Sequence, residues 1–184
     1  MSRTVYYTAM SLDGFIADRH HSLDWLLRQD HDPAGPFGFD AFFPTVGAAV
    51  MGSTTYEWIL AHEGGAWPYD DPTWVLSSRE LPSVDGDVRF ARGDVRPIHR
   101  ELVAAAGDGD VWIVGGGDVV GQFADAGLLD EVIASIAPVT LGTGAPVLPR
   151  RLDLHLEELA RNRDFACARY TVQRTATDTD ADPT

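Results

Sequence analysis

Apolar residues along this chain gather in short runs, and helical spacing fills the stretches between them. Residues 5–10 predict a first strand, and residues 46–51 a second, mostly buried one. Residues 53–60 predict a helix, with Ser53 or Thr54 available to cap it. Residues 73–77 and 88–91 read as two further strands. Ile98, Leu102, Val103 and Ala106 then recur at helical intervals within residues 97–106. A strand over 111–114, a helix over 118–126 and a strand over 131–139 follow. Residues 152–172 alternate apolar and charged side chains, as an antiparallel pair with one wet face does. The β-α-β alternation predicts a mostly parallel sheet with right-handed crossovers, closed by an antiparallel hairpin.

With 184 residues, no internal repeat and no linker, the chain reads as one domain over residues 1–174. Residues 175–184 are acidic and low in complexity, and are expected to form a mobile tail. A 45% hydrophobic composition is enough for a substantial core. All 14 basic residues are arginine, which excludes a P-loop lysine, a Schiff-base lysine and a lysine general base. The single cysteine, Cys167, excludes a CxxC pair and a multi-cysteine zinc site, and the histidines lack metal-ligand spacing, so no metal is expected. A net charge of −14 argues against nucleic-acid or anionic-membrane partners. It also means that an anionic ligand needs a local pocket of arginines and amides. Asp13 interrupts the short apolar run at the start, so no signal segment is read and a cytoplasmic location is expected.

Candidate chemistry lies where strands run into glycine and then into helix. In Val111-Trp112-Ile113-Val114-Gly115-Gly116-Gly117-Asp118-Val119, three glycines lead directly to a helix start. Bare backbone and free amides there suit a pyrophosphate, although tight strand–helix packing calls for glycine too. Met51-Gly52-Ser53-Thr54-Thr55 repeats the pattern, and two such junctions point the carboxyl ends of two parallel strands at one crevice. Leu76-Ser77-Ser78-Arg79 ends a third strand with hydroxyls and a cation, which suits an adenosine ribose phosphate. Trp67 and Tyr69, in a glycine- and proline-bearing loop, read either as a binding lid or as a cover for the core edge.

The order MGSTTY, WVLSSRE, VWIVGGGDVVGQF and DEVIASIAPVTLGTGAPVL resembles the dihydrofolate reductase superfamily. SLDGFIA at residues 11–17 resembles its branch related to the reductase domain of the bifunctional riboflavin-biosynthesis protein. The resemblance implies a dihydrofolate reductase-like α/β fold, an about eight-stranded mostly parallel sheet with flanking helices. It implies NADPH as hydride donor, a small-molecule substrate and a homodimer. Position by position, it implies that Gly116, Gly117, Asp118 and Val119 hold the pyrophosphate, with Gly115 also binding cofactor. Gly52, Ser53, Thr54 and Thr55 are implied as further cofactor contacts, and Ser77, Ser78 and Arg79 lie near the adenosine. Thr8, Ala9 and Ile113 or Val114 are implied beside the nicotinamide. Ser53 stands where many relatives carry a basic residue, which leaves recognition of the 2′-phosphate to Arg79, with Arg92 as a further cation. Arginine is missing between Trp58 and Trp74, unlike in folate reductases, and Gly115 stands where riboflavin-pathway domains tend to carry glutamate.

Reduction of a C=N bond needs a proton as well as a hydride, so a carboxylic acid is expected near the nicotinamide. Asp13, in the SLDG turn, is the first candidate, Asp24 the second and Asp30 the third; each also reads as an ordinary turn, cap or loop residue. The function expected is NADPH-dependent reduction of a small heterocycle or imine, resembling 5-amino-6-(5-phosphoribosylamino)uracil reduction. A pteridine, dihydrofolate-type or flavin reductase, and a non-catalytic NADP(H)-binding protein, are the alternatives.

Overall fold

Strands that carry unbroken apolar runs need cover on both faces, and this chain supplies it with helices between strands. A computed structural model describes residues 2–173. In chain order its elements are β1 (Thr4–Ser11), β2 (Phe15–Asp18), α1 (Asp24–Leu27), α2 (Phe39–Phe42) and, after a 3-10 turn, β3 (Val46–Gly52). Next come α3 (Ser53–His62), β4 (Thr73–Leu76), β5 (Val88–Ala91), α4 (Val95–Ala106) and β6 (Asp110–Gly115). The chain continues through α5 (Gly117–Asp125), β7 (Glu131–Ala137), β8 (Gly144–Pro146), β9 (Leu154–Asn162) and β10 (Phe165–Val172). The tail expected at residues 175–184 lies outside the described residues.

Eight strands form one sheet in the order β5-β4-β3-β6-β1-β7-β10-β9. Its members from β5 to β7 pair in parallel, and β10 and β9 close it antiparallel. Helices α4 and α5 cover one face, where Tyr6, Val50, Trp74, Leu102, Ile113 and Phe123 pack. Helix α3 covers the other face through Tyr56 and Ile59 against Met51 and Val75. Helices therefore leave the carboxyl ends of the adjacent strands β3 and β6 on opposite faces, which opens a crevice between them. An aromatic cluster floors that crevice: Tyr7 stacks on Phe42 at 4.1 Å, and Phe42 and Tyr69 each meet the Trp112 ring edge-on at 5.7 Å.

Two local expectations change. The residue capping α3 is Gly52, with no side-chain cap, because the Ser53 hydroxyl is turned outward to accept from Arg79. The strands β2 and β8 pair in a separate two-stranded sheet whose close approach needs Gly144, since a Cβ there would run into the Ala17 carbonyl. At the far end of the main sheet, Arg3 joins β1 to β6 and β7 through Asp110 at 2.6 Å and Glu131 at 3.1 Å. Among the described residues, no helix is long and apolar enough to cross a membrane.

Candidate functional site

The crevice at the ends of β3 and β6 opens into a cavity of about 500 Å³. Thr54 and Thr55 reach it from the first turn of α3, and Gly116, Gly117 and Asp118 from the start of α5. The first amides of a helix have no acceptor inside it, so two positive helix ends meet at one cavity. Thr8 and Ala9 of β1 and Val114 of β6 line it as well. Ile113 does not, because strand alternation sends it into the core, where it is fully buried.

The three consecutive glycines serve three ends. Gly115 has φ +136°, which glycine alone adopts readily. At Gly117 a Cβ would run into the Pro146 carbonyl, so glycine there is a packing requirement. Gly116 has ordinary φ and ψ of −78° and −178°, and a Cβ there would meet nothing nearer than Ile16 Cδ1 at 3.8 Å. Packing leaves room for a side chain at Gly116, whose half-buried backbone faces the cavity. Val119 does not line it; its amide turns back to the Gly116 carbonyl at 3.0 Å.

Several expected residues stand behind or beside the cavity. Gly52 caps α3 and lies against Val119, so the two junctions touch. The Arg79 guanidinium is more than half exposed and is held by Glu57 at 2.8 Å and 3.2 Å and by the Ser53 hydroxyl at 3.1 Å. Ser77 fixes the Arg79 backbone with two hydrogen bonds, and Ser78 faces solvent. Asp118 sits at the helix start with Arg150 at 3.3 Å, which offsets its charge where an anion would approach.

Neither leading carboxylate is placed as a proton donor. Asp13 lies outside the cavity lining and accepts from the Ser11 hydroxyl at 2.6 Å, the Gly142 amide at 2.7 Å and the Leu141 amide at 3.0 Å. The Ser11 hydroxyl and then these amides hold its carboxyl below the usual carboxylate range, so it is ionised and clamps two loops together. Asp24 begins α1, is exposed and is also outside the lining. Asp30 is likewise exposed, paired loosely with Arg163 at 3.8 Å.

The apolar end of the cavity holds residues that motif reading passed over. Tyr7, Trp58, Tyr69 and Trp112 surround it, and Leu23 and Leu26 line the cavity as well. Of the two loop aromatics, Tyr69 lines the cavity, whereas Trp67 packs on Tyr56 at 5.5 Å and covers the core edge. Alternation along β6 marks Trp112 for the face opposite Ile113, a signal already present in the sequence. Burial pushes the Tyr7 phenol up to about 12, and it donates to the Phe37 carbonyl at 2.8 Å. Burial and then the Glu63 charge also raise the Tyr69 phenol, so both remain neutral donors near neutral pH.

Comparisons with known proteins agree with this architecture. A family model of the RibD C-terminal domain matches residues 69–163, about half of the chain. The uncharacterized Bacillus subtilis protein YwjB is 34% identical over 146 residues, 79% of this chain and 82% of its own length. A Shewanella sp. PV-4 crystal structure named for riboflavin biosynthesis shares 28% identity and a TM-score of 0.79, over 94% of this chain and 99% of that one. In fold alone, an Enterococcus faecalis dihydrofolate reductase complexed with NADP(H) matches with a TM-score of 0.57 at 18% identity, covering 95% and 97% of the two chains. On this match in sequence and this dihydrofolate reductase-like architecture, the chain belongs to the RibD C-terminal domain family.

Proposed function

We propose that the chain is an NADPH-dependent reductase of a small heterocyclic or imine substrate. One observation carries the reading: the convergence of the α3 and α5 helix starts on a cavity whose wall at Gly116 is bare backbone where packing leaves room for a side chain. That cradle suits a pyrophosphate, which two helix ends and unhindered amides bind without lysine. Thr54 and Thr55 supply hydroxyls to the same anion, and Arg79 is the cation available to a ribose phosphate at the β4 end. Thr8, Ala9 and Val114 form the wall against which the nicotinamide ring would rest.

When bound, the reduced dinucleotide supplies a hydride. The chain's own part is to exclude water with the aromatic walls and to orient the acceptor. With Asp13 ionised and clamped, the side-chain donors in the lining include the Tyr69 hydroxyl, which stays protonated and suits a substrate heteroatom, the Trp58 indole and the His21 ring. Among the described lining residues Asp118 is the one carboxylate, and it sits at the phosphate end. That placement favours a second reading, in which the protein binds NADP(H) without turnover.

A thermal-shift titration with NADPH, NADP, NADH and NAD tests the cleft. Saturable stabilisation by NADPH, weaker with NADH, supports it, and no shift with any of the four removes the reductase reading. Oxidation of bound NADPH on addition of a heterocyclic acceptor then separates catalysis from binding alone.

A further inference from the structure

We infer that the substrate of this cleft is a flat, uncharged heteroaromatic ring that carries no phosphate. The inference rests on the reductase reading, because it takes the apolar end of the cavity as the place where substrate meets cofactor. Tyr7, Trp58, Tyr69 and Trp112 wall that end, and their rings are fixed rather than free to rearrange. Trp58 stacks on His62 at 4.7 Å, Tyr7 on Phe42, and the Trp112 indole donates to the Tyr7 carbonyl at 3.2 Å. Rigid aromatic walls recognise the face of a planar ring at little entropic cost.

Charge decides against a phosphorylated group. A buried phosphate needs arginines, lysines or converging amides, and leaving its charge unpaired is strongly unfavourable. The apolar end continues, past Tyr7, Ala9 and Leu26, into a second cavity of about 240 Å³ walled by Phe37, Phe39 and Phe165. Neither cavity has arginine in its described lining, where the basic side chains are His21 in the first and His31 in the second. Arg150 pairs with Asp118 and Asp125, Arg163 with Asp30 and Asp32, and Arg79 lies with the cofactor cradle at the β4 end. On the same face of β10 as Cys167, Arg169 lies over the Phe37 ring at 5.4 Å and faces Glu131. Asn162, at the second cavity, already spends its amide on the Asp32 and Pro36 carbonyls. The cradle that suits phosphate lies at the other end, at Gly116. The phosphoribosyl group of the substrate expected from the resemblance has no counterpart at the substrate end of this cleft.

Riboflavin and its 5′-phosphate share one flat ring system and differ by the phosphate, so they isolate the claim. Isothermal titration of the NADP-saturated protein is expected to show riboflavin binding at least about tenfold tighter than the phosphate. In Trp58→Ala, riboflavin binding should fall by about tenfold while NADP affinity holds. Equal or tighter binding of the phosphate, or no binding of either ring to a protein that does bind NADP, overturns the inference and leaves the reductase reading standing. Failure to bind NADP itself removes that reading, and this inference with it.

Discussion

A methyl group added at Gly116 would meet nothing nearer than Ile16 Cδ1, whereas one added at Gly117 would run into the Pro146 carbonyl. The two substitutions therefore separate ligand binding from folding. Gly116→Ala is expected to leave the melting temperature within error and to abolish NADPH stabilisation in thermal shift. Gly117→Ala is expected to destabilise by about 1–3 kcal/mol, read by denaturant unfolding, because the neighbour is backbone and cannot rotate away. A second residue-scale prediction concerns Glu57, whose carboxylate occupies the guanidinium that a 2′-phosphate would need. Glu57→Gln should tighten NADPH relative to NADH by about two- to fivefold at low salt, the scale of an exposed charge pair. An unchanged ratio in a binding titration would mean that Arg79 does not meet the 2′-phosphate. Asp13 shows the limit of reading a residue in isolation, since beside the nearby Ser11 hydroxyl the amides that hold it ionised lie 128 and 129 positions away.

Elements were legible where their burial is one-sided or complete. The helical spacing of Ile98, Leu102 and Ala106 is the buried stripe of α4, and residues 46–51 are the doubly covered β3. The two short strands β2 and β8 were not legible, because three or four residues carry no period and pair only across more than a hundred positions. Where α4 meets β1, His99 Nε2 lies 2.8 Å from the Thr4 hydroxyl and burial lowers its pKa below the ordinary value. The unfolded chain then takes up the proton first as pH falls. Stability from this contact is complete above the ordinary histidine range and is lost as pH drops below about 6.5. Melting temperature should therefore fall more steeply between about pH 7 and pH 5 in the native chain than in His99→Gln; equal slopes would assign the loss to carboxylates.

On the scale of the molecule, the sheet ends in two edge strands, β5 and β9, and β9 carries an apolar face. In β9, a register shift at Arg169 and Tyr170 sets Leu154, Leu156 and Leu159 opposite Val172, Tyr170 and Ala168, so all three leucines share a face. They are 39%, 48% and 67% exposed beside a row of unpaired edge amides and carbonyls. Such an edge invites strand pairing. If the homodimer implied by the resemblance forms there, sedimentation will show a dimer that Leu156→Lys converts to monomer with its fold intact. A monomeric native chain would remove that expectation.

The sequence by itself determined the strands of the main sheet, the helices α3, α4 and α5, and the two glycine junctions, since periodicity and backbone freedom are local properties. It also determined that any phosphate must be held without lysine. Only the tertiary structure decided which of three glycines leaves room for a side chain at the cavity wall, that Asp13 is a clamp, and that Tyr7, Trp58, Tyr69 and Trp112 meet around one space. Those outcomes depend on which atoms from distant segments arrive at a site, and no spacing along the chain encodes that arrival.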